Sequence, residues 1–79
     1  MKLPKRRMPI VDYVYAMLER PPMPGAQPRE GLLSINAFYG TAIIDGQERN
    51  IWGMVEYDRK LSEYEREHYS MDLIYTRNM

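Results

Sequence analysis

Leu32-Leu33-Ser34-Ile35-Asn36-Ala37-Phe38-Tyr39-Gly40-Thr41-Ala42-Ile43-Ile44, followed by Asp45-Gly46 and then Gln47-Glu48-Arg49-Asn50-Ile51-Trp52-Gly53-Met54-Val55-Glu56-Tyr57, is the stretch that decides the fold. Two runs of strand-forming residues flank Asp-Gly, the pair that suits a two-residue turn with positive φ at both central positions. Asp tolerates that conformation and Gly adopts it without steric cost. An unbroken two-residue register pairs Ile44 with Gln47. It sets Tyr39 opposite Trp52, a favourable aromatic pair, and Phe38 opposite Gly53. One face of this hairpin then carries Ile35, Ala37, Tyr39, Ile43, Trp52 and Met54. The other carries Leu32, Phe38, Ala42, Ile44, Ile51, Val55 and Tyr57. Both faces are largely apolar, so one is expected to take a helix and the other to meet more chain or a partner. Gly40 and Gly53 are candidate bulge positions that would shift the register.

Outward from the hairpin, Pro21 to Gly31 holds four prolines and two glycines and reads as a stiff connector. Before it, Pro9 suits a first helical turn, and Ile10, Val14 and Met17 share one helical stripe with Val11 and Leu18 beside it. Asp12 near the start and Arg20 near the end suit the helix dipole, and Pro21-Pro22 stops the element. The pattern predicts a helix over 9–20. Val11, Tyr13 and Tyr15 alternate, which is the competing strand reading. After the hairpin, Ser62 and Glu65 have capping-box spacing, predicting a short helix over 62–69. Met71, Leu73 and Tyr75 alternate with Asp72, Ile74 and Thr76, predicting a last strand over 70–77. The expected fold is α+β: a small antiparallel sheet on the 32–44/47–57 hairpin plus the C-terminal strand, with two helices. One small domain over 1–79 is expected, with a basic arm at 1–8 and the connector at 21–31.

Composition narrows the chemistry. The 79 residues contain no cysteine, which removes disulfides, thiolate nucleophiles and sulfur-ligated metals. A chain this short buries only about 60% of its unfolded surface, so self-association is a natural staple and a homodimer is a live possibility. Formal net charge is zero, with +3 on residues 1–30 and −3 on 31–79, so neither part has the single-sign field of a strong nucleic-acid binder. No apolar stretch approaches a membrane span and no secretory h-region follows the basic start, making the cytoplasm the expected compartment.

Catalytic constellations are sparse. His68 is the only histidine, and Glu65-x-x-His68 is a single copy of a spacing that di-iron bundles need twice. Glu56, Asp58, Glu63, Glu65 and Glu67 are interleaved with Arg59, Lys60 and Arg66, the pattern of a solvated face rather than a poised acid/base pair. No glycine-rich phosphate loop occurs. The expectation is a protein that is not an enzyme and holds no cofactor or metal. Protein binding is better supported: seven tyrosines, one tryptophan, one phenylalanine and seven methionines exceed what so small an interior needs. Tyrosine and methionine are interface residues. Tyr39, Trp52, Tyr57, Tyr64 and Tyr69 are the candidate contact residues. The alternative is nucleic-acid binding through Lys2, Lys5, Arg6 and Arg7 on the arm.

Trp52-Gly53-Met54-Val55-Glu56-Tyr57-Asp58-Arg59-Lys60-Leu61-Ser62, with Glu65, Tyr69, Met71 and Leu73, resembles a pattern in short uncharacterised proteins of phages and mobile elements. The resemblance spans about 22 residues and implies an accessory protein rather than a metabolic enzyme. It further implies action by covering a host protein's functional surface, as inhibitors of host defence do.

Overall fold

A computed structural model describes residues 11–78. The elements in chain order are β1 (Val11–Met17), β2 (Leu32–Ile44), β3 (Gln47–Tyr57), α1 (Glu63–Tyr69) and β4 (Met71–Asn78). The strands form one sheet in the order β2-β3-β1-β4, with every neighbouring pair antiparallel. Four strands and one short helix among the described residues correct the α+β expectation with its two helices: the fold is mostly antiparallel sheet.

The decisive difference is β1. Residues 11–17 of the expected 9–20 helix form a central strand between β3 and β4; residues 9 and 10 lie outside the described residues. The reason is physical. Tyr15, Met17 and the half-buried Tyr13 face one side, while Asp12, Val14 and Ala16 face the other, and both sides are covered. A run that is apolar on both faces satisfies a helical stripe as easily as a buried strand. Pairing decides: Tyr13 sits opposite Tyr57 and Tyr15 opposite Val55 on one flank, with Thr76 and Leu73 on the other. A bulge between Val14 and Tyr15 shifts the β1–β4 register, so that Tyr75 pairs with Val14 and Leu73 with Tyr15.

The hairpin turns on Asp45 (φ 53°) and Gly46 (φ 78°), the two positive values its turn type requires. Its register is not unbroken. Gly40 pairs with Ile51, but Ala37 pairs with Gly53, so Phe38 and Tyr39 bulge opposite Trp52. Phe38 therefore does not cover Gly53. Its ring folds back toward Gly40, and Gly53 instead lies against Asn36, Ala37 and Pro22.

Among the described residues, no helix covers the sheet in the expected way. On one face, Tyr15, Met17, Val55, Tyr57 and Met71 are capped by Ala26 of the connector and by Leu61, with Tyr69 packing at the margin. Two phenols fasten these covers. Tyr57 Oη donates to the Pro28 carbonyl at 2.6 Å, and Tyr15 Oη accepts from the Leu61 amide at 2.8 Å. Burial pushes both phenols up from the ordinary tyrosine range. The second cluster joins Ala16, Ile44 and Ile51 with Leu18, Ala42, Met54 and Ile74. The hairpin outruns its four-stranded part, and its tip bends until β2 meets β4, although the two are opposite edges of the sheet. Arg49 near the tip reaches Asp72 at 3.7 Å.

Candidate functional site

The hairpin's bend and bulge leave an apolar surface exposed. Tyr39 and Trp52 pack ring against ring, with centroids 4.7 Å apart and planes at 55°. They are nonetheless 63% and 39% exposed. The bulge produces this: with Phe38 and Tyr39 both set opposite Trp52, Tyr39 reaches the indole while its outer face stays in water. Along the same strand, Leu33, Ile35, Phe38 and Ile43 are exposed as well. A groove of about 590 Å³ runs alongside the start of β2 and is lined by Pro24, Gly25, Gln27, Arg29, Leu32 and Ile35. Large apolar groups gathered on one element, rather than scattered singly, mark an interaction surface.

The five sequence-derived contact residues separate cleanly. Tyr39 and Trp52 come together. Tyr64 is 72% exposed on α1, stacked on His68 at 5.5 Å. Tyr69 is half-buried against the first cluster and meets the His68 ring edge-on at 4.7 Å. Tyr57 is a core residue, edge-on to Tyr15 at 6.0 Å with its hydroxyl spent on Pro28, so it presents nothing to a partner. Leu33, Ile35 and Ile43 fall outside those five, because strand alternation alone does not say which face stays wet. Lys2, Lys5, Arg6 and Arg7 lie outside the described residues.

Arg59, Glu65 and Arg66 beside and on α1 are engaged in structure. Ser62 caps the helix: its hydroxyl accepts from the Glu65 amide at 3.1 Å, and its own amide donates to Glu65 Oε1 at 2.9 Å. The Arg59 guanidinium clamps the same carboxylate through two hydrogen bonds of 3.0 and 2.9 Å, and its Nε donates to the Glu30 carbonyl at 2.9 Å. The Arg59 hydrogen bond, followed by that from Ser62, lowers the Glu65 carboxyl to about 2. The same contact raises the Arg59 guanidinium. Glu65 thus has its oxygens occupied by Arg59 and Ser62, while the His68 ring meets those of Tyr64 and Tyr69. Among the described residues, no group of three or more His, Cys, Asp or Glu is placed to hold a metal ion. No helix among them is long and apolar enough to cross a membrane.

Over residues 12–76 the chain matches the family described as defence against restriction A C-terminal. Neither the curated proteins nor the solved structures give a match.

Proposed function

We propose, for a chain that belongs to the defence against restriction A C-terminal family, that it is a non-enzymatic anti-restriction accessory protein of a phage or mobile element. It acts in the cytoplasm by covering a functional surface of a host defence protein. The family supports the defence context, and the Tyr39–Trp52 pair supports the mode of action. Two large rings packed on each other and open to solvent form a rigid amphipathic anchor. Such an anchor loses little side-chain entropy on binding, because the rings already order one another. Aromatic anchors of this kind supply a disproportionate share of binding energy at protein interfaces.

The bend that exposes the pair is built into the backbone, since β2 carries its bulge opposite Trp52 and Gly53 follows directly. The partner surface that suits it is a shallow apolar pocket with a polar rim, where Tyr39 and Trp52 bury their faces and keep the phenol and indole N–H at the margin. The test is binding of the purified chain to purified subunits of a host restriction enzyme, with and without Tyr39→Ala and Trp52→Ala. Binding that falls by about two orders of magnitude in the double variant supports the reading, a loss of the size aromatic hot spots give. Unchanged binding in a folded double variant refutes it. Affinity that collapses steeply with rising salt points instead to phosphate contacts and a nucleic-acid partner.

A further inference from the structure

We propose that β2 is the pairing edge of an antiparallel two-fold dimer, in which the β2 strands of two copies join their sheets into one. The two edges of this sheet are treated very differently. β4 carries Asp72 and Arg77, and its start is met by the hairpin tip. β2 carries no Asp, Glu, Lys, Arg or Pro in any of its thirteen positions. Edge strands left open to solvent are normally blunted by charge, proline or a covering segment, because their unpaired N–H and C=O groups otherwise template pairing with another chain. Among the described residues, the backbone of Leu33 to Ile43 takes no hydrogen bond outside its ladder with β3. The ladder is interrupted twice, at Leu33 between Leu32 and Ser34 and at Phe38 and Tyr39 between Ala37 and Gly40, leaving regular runs over 34–37 and 40–44.

A second copy fits this edge by charge. A two-fold axis sets each residue of β2 opposite another residue of β2. An uncharged strand therefore never opposes like charges, whatever the register. The antiparallel sense also brings the end that carries Arg29, with Glu30 beside it, toward the partner copy's end carrying Asp45 and Glu48. A parallel arrangement would place the two acidic ends together. Leu33 and Ile43, half or more exposed in the single chain, gain cross-strand neighbours on pairing. The pairing runs through the backbone edge, so the outer faces of Tyr39 and Trp52 stay available. The dimer then carries two aromatic anchors, and the proposal does not depend on what those anchors bind.

The experiment is sedimentation velocity of the full chain over a dilution series, combined with amide hydrogen exchange at the same concentrations. The expected result is a dimer at about 100 μM, an association of ordinary strength. Amides of residues 33–43 should be protected at high concentration and exposed on dilution. Ile35→Lys with Ile43→Lys, at two solvent-exposed positions, sets cations against cations and should raise the dimer dissociation constant about tenfold or more. The proposal is overturned by a wild-type monomer at that concentration, including one that takes up a foreign strand along β2. It is equally overturned by a dimer whose 33–43 amides exchange at the same rate concentrated and dilute. The exchange data decide the matter without the variants, should the lysines unfold the strand.

Discussion

Replacing Gly53 by alanine probes the joint that aims Trp52. Gly53 holds φ at +152°, a conformation open essentially to glycine alone. A Cβ placed there would lie 2.8 Å from the Asn36 carbonyl oxygen, 2.9 Å from Pro22 Cδ and 3.1 Å from Ala37 Cα. Two of those three neighbours are backbone of β2, which cannot step aside without opening the β2–β3 ladder. The strained backbone costs about 1–3 kcal/mol. Forcing a methyl group into occupied space adds about 1–3 kcal/mol. Together they reach ~2–6 kcal/mol, against a total stability on the order of 5 kcal/mol for so small a domain. At about 4–8 °C per kcal/mol in this size range, Tm should fall by at least ~10 °C. Gly46→Ala is the internal control, since Gly46 also has positive φ (78°) but nothing within 4 Å of the added Cβ. It should cost only the conformational term, about 1 kcal/mol. Thermal unfolding followed by circular dichroism reads both. If Gly53→Ala is no more destabilising than Gly46→Ala, crowding against Asn36, Ala37 and Pro22 is not what reserves this position for glycine.

Tyr57→Phe removes the hydroxyl that donates to Pro28 and leaves that carbonyl without its buried donor. The expected loss is about 1–3 kcal/mol in urea unfolding at unchanged m, whereas Tyr64→Phe on the exposed helix face should change nothing measurable. Glu65 is held well below its unfolded value, so its contribution is fully present above about pH 4.5 and disappears as pH falls toward 2. With its side chain 23% exposed, a discounted contribution of about 1–2 kcal/mol is expected. In Glu65→Gln, stability at neutral pH should drop by that amount, and the acid slope between pH 4.5 and 2 should flatten. An unaltered slope would show that the clamp with Arg59 adds nothing.

Local signals were legible in the sequence and non-local ones were not. Asp45-Gly46 sets two positive φ angles from within the turn itself, and the Ser62/Glu65 cap closes over four residues, so neither needs the rest of the chain. Val11 to Met17 is the contrary case. Its side chains fit a helix or a two-sided strand equally, and what selects the strand is pairing with Tyr57, Val55, Leu73 and Thr76, all far along the chain. Within the candidate site, the nearness of Tyr39 and Trp52 could be read from the turn. The bulge that leaves the pair open could only be suspected, from Gly40 and Gly53. A phenol suits an interface, so the sequence alone points Tyr57 outward. Its hydroxyl finds a carbonyl in the connector 29 residues away, and no local pattern announces that contact.

Plating efficiency of unmodified phage on a restricting host that expresses the chain tests the central claim most directly, with a non-restricting host as reference. Wild-type protein should relieve restriction, and Tyr39→Ala/Trp52→Ala, folded and expressed at the same level, should not. Equal relief by the double variant would contradict the account, because the exposed ring pair would then have no part in disarming the host.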